Sequence, residues 1–273
     1  MVIDVNQTNA EKSNEFEIFY NHKKVYTART PFIELKGVDM LEKLRQIEVY
    51  DLDGKAKYST KYKVLDNMLE EAIPFKYLVT KSQKFDQFIV VDNDTNNDLF
   101  SIYFHKKEIF YTNYVISMNG DIYNCYSIGD GYIIHFPIYK DDIQVGEMIK
   151  VQVKYDAKDT YRIYLKEEYS YLADSLMMLA LYLDRLNYSS SYIKMRGQEI
   201  RYTKTFDRTN KYYDKNWIIN NFDAKKDFEE INLYIQKSKA ELKKTASKIL
   251  SIIGMIWIVV ILIAIILLII FFL

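Results

Sequence analysis

Asp92, Asp94 and Asn96 stand at alternate positions of a short polar stretch, the spacing with which a calcium loop begins. Such a loop requires glycine at its sixth position and glutamate at its twelfth. This chain places Asn97 and Tyr103 there, so the stretch reads as a hairpin loop whose Asn and Asp residues tolerate left-handed backbone. His22, His105 and His135 have neither HxH nor HxxxH spacing, and each is expected to be an ordinary strand residue. Cys125, the one cysteine, lies in an alternating run without a CxxC partner; it reads as a packed thiol in a reducing compartment. Neither GxGxxG nor a P-loop pattern occurs. Asp174, Asp184 and Arg185 flank an apolar run, with Asp174 placed where a helix start favours a carboxylate. No catalytic residue, metal ligand or cofactor is assigned, and the expected class is not an enzyme.

Around these residues the chain reads as strand after strand from about Phe16 to Lys166. Phe16, Ile18 and Tyr20 alternate with polar neighbours, which is the period of a half-buried strand. Ile47 and Val49 lead into Asp53-Gly54, a two-residue type I′ hairpin signal, and Tyr58 lies in the returning run. Further hairpins are expected from 88–91 to 99–104 around the loop Asp92 to Asp98, and from 114–117 to 122–126 around Met118 to Asp121. Ten to twelve mostly antiparallel strands must manage their edges, and barrel closure does so. The run 171–186 that follows has strong helix formers, no Gly or Pro, and apolar residues on nearly every face. At about 24 Å it is short for a membrane span, so it belongs inside something, and the strands before it supply the container.

The order of short strands, the hairpin IEVYDLDG (Ile47 to Gly54), a late DTYRIYL (Asp159 to Leu165) and the apolar helix ADSLMMLALYLDRL (Ala173 to Leu186) resembles the tubby C-terminal-like superfamily. Its LURP-one-related and phospholipid-scramblase-like branches are the nearest in pattern. The resemblance covers roughly residues 15 to 190 and implies a closed barrel of about twelve strands around one hydrophobic helix. In such relatives that helix lies near the chain's end, whereas here about 85 residues follow it. The basic phosphoinositide patch and the acidic calcium segment of those families have no matching run in this chain.

The last 22 residues, Ile252 to Leu273, contain no charged or strongly polar side chain. As a helix the run is about 33 Å long, close to the hydrocarbon thickness of a bilayer. Lys237, Lys239, Lys243, Lys244 and Lys248 precede it with only Glu241 against them, which by the positive-inside rule places the bulk of the chain in the cytoplasm. Ile252, Trp257 and Leu273 mark the expected anchor, and Lys239, Lys243, Lys244 and Lys248 the membrane-proximal basic group. The N-terminus has no apolar core and does not read as a secretory signal.

The expected organisation is a polar segment 1–14, a mainly β barrel 15–190 with its central helix 171–187, and a tyrosine-rich segment 191–222. An amphipathic helical stalk 223–250 and a transmembrane helix 251–273 follow. In the stalk Phe228, Ile231, Ile235, Leu242 and Ile249 fall near heptad a and d positions, weakened by Ser238 and Thr245, so self-association through stalk or tail is open. Zero formal net charge, 37 basic against 37 acidic residues, argues against nucleic acid as partner. The function expected is a single-pass, membrane-anchored cytoplasmic binding or scaffold module that holds an anionic lipid headgroup, peptide or protein. A lipid-handling protein of scramblase type is the alternative. Tyr192, Tyr202, Tyr212, Tyr213 and Trp217 are the expected contact residues, because Tyr and Trp supply rigid contact area.

Overall fold

A computed structural model describes residues 1–9, 13–31, 46–108, 111–154, 158–187, 199–241, 243–244, 247 and 256–257. Two compact units divide the chain, Met1–Lys225 and Lys226–Leu273.

Period-two alternation builds the first unit. A meander of antiparallel neighbours runs through β1 (Val2–Asn9), β2 (Ser13–Tyr20), β3 (Lys23–Pro31), β4 (Glu48–Tyr50) and β5 (Ala56–Tyr62). It continues through β6 (Gln83–Asp92), β7 (Asn97–Glu108), β8 (Tyr111–Met118) and β9 (Asp121–Cys125). After β10 (Ile128–Gly131), β11 (Ile133–Lys140) pairs with both β9 and β12 (Ile143–Val151). Beyond β13 (Val153–Lys154), β14 (Thr160–Leu165) pairs with β12 and with β1, closing a barrel of twelve strands. Closure leaves no long edge among these strands. Ile3, Val5, Phe16, Ile18, Val49, Phe88, Ile102, Phe136 and Ile163 face inward and are buried.

The barrel begins earlier than the residue 15 expected from sequence. Residues 1–14 read as polar, yet Ile3 and Val5 alternate into the core while Asp4 accepts from Arg162 at 2.6 Å. The β4–β5 turn also differs from a type I′ pair. Only Gly54 has positive φ (+79°), and Asp51 Oδ1 accepts from the N–H groups of Asp53 and Lys55, with a register shift beside it. That is a wider, side-chain-braced turn with a glycine bulge. The β8–β9 turn is the type I′ case, with Asn119 at φ +52° and Gly120 at +84°.

The apolar run after the last strand fills the barrel, as its all-round hydrophobicity requires. A 3₁₀ turn (Glu167–Leu172) leads into α3 (Ala173–Asn187), preceded in the chain by two other helices given below. Leu176, Met178, Leu179 and Leu181 are fully buried in the core cluster. Burial of a Leu or Met side chain contributes about 1.5–3 kcal/mol each, so this helix and the barrel wall stabilise one another. Asp174 in its first turn accepts from Tyr20 (2.5 Å) and Tyr58 (2.6 Å), and Asp184 near its end accepts from Tyr161 at 3.1 Å.

Two segments lie outside the strand pattern read from sequence. Between β5 and β6 the chain forms α1 (Val64–Ala72) and α2 (Lys76–Thr80). After α3, residues 199–225 pack against the outside of the wall: β15 (Glu199–Ile200) pairs with β13, and β16 (Thr203–Lys204) with β10. A 3₁₀ turn (Arg208–Tyr212) and α4 (Trp217–Asn221) complete this brace.

In the second unit, 226–241 is helical, and Ile235 and Ser238 are its buried positions among the described residues. Leu242, Thr245 and Ile249 of the heptad reading lie outside the described residues, as does the run 252–273 apart from Ile256 and Trp257. Those two are helical and exposed. No helix among the described residues is long and apolar enough to cross a membrane.

Candidate binding surface

With α3 occupying the barrel, its interior is a packed core, and its ends are closed by polar side chains. At one end Tyr20 and Tyr58 converge on Asp174, and burial, then the Asp174 carboxylate, pushes both phenols far above the ordinary tyrosine range. At the other, Gln7 donates to Asn14 at 3.0 Å and Lys150 pairs with Asp159, all four buried. These arrangements satisfy polar groups inside a wall, which is what buried polar groups require.

The outer wall offers a different chemistry. Tyr212 of the brace lies flat on Tyr126, with ring centroids 3.9 Å apart. Its hydroxyl is 2.9 Å from that of Tyr111, and its carbonyl accepts from Tyr139 at 3.0 Å. Burial acts to raise the Tyr212 phenol, but hydrogen bonds from Tyr111 and Tyr126, with Lys211 beside it, bring it below the usual value. Beside this stack an open cleft of about 580 Å³ is lined by Lys107, Glu108, Tyr111, Arg208 and Lys211. Glu108 accepts from Arg208 at 2.7 Å, while Lys107 and Lys211 lie over the Tyr111 and Tyr212 rings at 5.3 and 4.8 Å. Three cations against one carboxylate, set on aromatic faces, suit an anionic group with a planar or apolar neighbour. Sequence spacing could not reveal this cleft, because the β7–β8 corner and the 208–212 turn are distant in the chain.

The expected contact residues separate. Tyr213 donates to Asp130 at 3.1 Å and packs on His135, and Trp217 is buried against Phe222. With Tyr212 they fasten the brace to the barrel. Tyr202 is exposed, edge-on to Tyr132. Tyr192 lies outside the described residues. Lys239, Lys243 and Lys244 are in helical backbone, whereas Lys248, Ile252 and Leu273 lie outside the described residues.

The remaining candidates are distributed around the wall. Asp92 Oδ1 accepts from the N–H groups of Asp94 and Thr95, and Asp94 accepts from Lys57 at 2.9 Å. Hydrogen bonds from Lys55 and Lys57 hold the Asp94 carboxyl down to about 2. In the other rim loop, Asp121 accepts from Lys140 at 2.6 Å. His22 has φ +66° in the β2–β3 turn, His105 contacts Ser82, and His135 Nδ1 is 2.7 Å from Glu147. The three are on separate elements. Cys125 is buried, which pushes its thiol well above the ordinary range.

No protein-family model, curated protein or solved structure matches this chain.

Proposed function

We propose that this chain is a non-enzymatic, membrane-anchored binding module of the tubby-like type, with its barrel in the cytoplasm and its outer wall as the contact surface. The observation that carries this reading is the filled barrel. With Leu176, Met178, Leu179 and Leu181 occupying the interior, recognition falls to the outside, where the cleft at Lys107, Tyr111, Arg208 and Lys211 presents cations on aromatic rings. Loops and grooves on a rigid scaffold are where binding is usually placed. The architecture of twelve strands around one helix supports the family resemblance. The uncharged run Ile252 to Leu273, preceded by lysines, supports a single-pass anchor with the body on the cytoplasmic side. The anchored body then holds an anionic lipid headgroup, or an acidic peptide or protein, at the inner leaflet.

Carbonate extraction and protease protection test the anchor. The full chain should stay with membranes after alkaline wash, and external protease should spare the body in intact cells. Digestion of the body from outside would overturn the cytoplasmic assignment. For the cleft, Lys107→Glu with Lys211→Glu should abolish binding of an acidic peptide or anionic vesicle to the detergent-solubilised full chain, with melting unchanged. Equal binding by wild type and variant would remove the cleft from the reading.

A further inference from the structure

The α1–α2 pair is turned inside out. A helix packed on a body normally buries its apolar stripe. Here the polar residues make the contact with the barrel. Asn67 Nδ2 donates to the Gln87 carbonyl (3.2 Å) while the Gln87 N–H donates to Asn67 Oδ1 (2.8 Å). Gln83 Nε2 donates to the carbonyls of Glu70 (2.7 Å) and Ile73 (3.2 Å), and Lys76 binds Glu70 at 2.9 Å. Tyr77, the buried residue of α2, lies under the Lys106 ammonium at 4.3 Å.

The opposite face is apolar and open. On α1 it comprises Leu65, Met68 and Leu69; Ile73 and Phe75 continue it across the corner, and Leu78 and Val79 end it on α2. Leu65 is 74% and Val79 86% exposed, so these side chains are not lying against the wall. A contiguous apolar face rimmed by charge marks an interaction site.

We propose that this face is a membrane wedge, which lies in the headgroup–acyl boundary of the bilayer that the C-terminal run enters. The proposal rests on the anchored reading above, and two observations select lipid as the occupant. Charge is the first: Asp66 and Glu70 are paired with Lys63 and Lys76, exposed Lys81 ends α2, and the Lys106 ammonium lies over Tyr77 of the same helix. An apolar helical face with basic flanks is the pattern of an interfacial helix, and anionic headgroups attract such lysines. Tethering is the second: a chain with a bilayer-length apolar run keeps its body at high effective concentration over one membrane, so a small wedge suffices to dock it. The helix pair and the basic cleft are joined through one strand: β6 begins just after α2, its Gln83 pairs with Lys106 of β7, and the next residue, Lys107, lines the cleft.

The test uses the full chain in vesicles of phosphatidylcholine and phosphatidylserine, with an environment-sensitive NBD label on Leu69→Cys or Leu78→Cys. Asp53→Cys in the β4–β5 turn is the control, and buried Cys125 does not compete for label. Emission from positions 69 and 78 should shift to the blue and be quenched by doxyl-labelled lipid, and that from 53 should not. Leu69→Asp with Val79→Asp should abolish the shift at 78 while the protein still floats with the vesicles. Water-like emission at 69 and 78 in floating protein would overturn the wedge and leave the anchor standing. A blue shift that rises with protein density and resists doxyl lipid would assign the face to a second copy and likewise overturn it. If the chain fails to float, the anchor reading falls. Titrating vesicles onto the labelled protein in mild buffer then reads the wedge alone, where a quenched blue shift supports it and no shift overturns it.

Discussion

Tyr212 lies face to face with Tyr126, the planes 4° from parallel, and its hydroxyl meets that of Tyr111. One side chain of the brace thus touches both β8 and the segment after β9, and its partner Tyr111 and its neighbour Lys211 line the cleft. Tyr212 thereby positions the candidate site while it fastens the brace.

Tyr212→Ala should therefore lower stability and binding together. Loss of the stacked pair and one hydrogen bond costs roughly 2 kcal/mol, or about 4–8 °C in melting temperature for a body of this size. Tyr212→Phe keeps the stack and should recover most of the melting temperature. Thermal unfolding of the two variants side by side decides it; equal melting would mean that the brace is not held at this point.

His105 makes the body acid-sensitive. Burial, then Lys107 and Lys84, hold its imidazole down to about 4, and its Nε2 sits 3.0 Å from the Ser82 hydroxyl. The folded state favours the neutral ring. Between the unfolded value of about 6.5 and the folded value, the unfolded chain binds the extra proton, so stability is full above pH 6.5 and falls towards pH 4. His105→Gln should flatten part of that fall. Melting curves across this range would settle the matter, and parallel profiles for wild type and variant would contradict it.

The tyrosines at Asp174 act at the other end of the pH scale. Tyr20 and Tyr58 are raised by burial and then by the Asp174 carboxylate, which favours their neutral forms in the fold. Their contribution is complete below the unfolded value of about 10 and is lost as pH rises above it. Tyr58→Phe should cost about 1–2 kcal/mol at neutral pH, because Asp174 loses a donor, and should soften the alkaline transition. An alkaline unfolding midpoint equal to wild type would argue against the assignment.

The central helix was legible because no face of 171–186 could remain in water, and the strands because Phe16, Ile18 and Tyr20 alternate. The start of the barrel was not legible. Asp4, Asn6 and Gln7 make β1 look polar, although Asp4 finds Arg162 and Gln7 finds Asn14 only once the chain is folded. The α1–α2 pair had a readable signal in Leu65, Met68, Leu69 and Ile73 at helical spacing, but the surrounding run of strands obscured it. The brace tyrosines stood out by type. Their roles did not, because stacking on Tyr126 and bonding to Asp130 depend on partners far away in sequence.

Gly129 fixes how closely the brace approaches. A Cβ there would lie 2.7 Å from Thr203 Cγ2, 2.9 Å from Thr203 Cβ and 3.0 Å from the Thr203 carbonyl oxygen. The backbone around it is committed as well: the Gly129 N–H donates to Thr205 Oγ1 at 2.9 Å, and the Thr205 N–H donates to the Gly129 carbonyl at 3.0 Å. Gly129→Ala must push β16 outward and stretch those bonds, at about 1–3 kcal/mol. Hydrogen exchange across 203–213 should accelerate while exchange within α3 is unchanged, because the barrel interior does not depend on the brace strand. Thr203→Gly in the same chain removes two of the three contacts and should restore more protection than Thr203→Ala, which leaves the Cβ in place. Unaltered exchange in Gly129→Ala would show that β16 is held away from β10 in solution, and the cleft would then lose its Arg208–Lys211 wall.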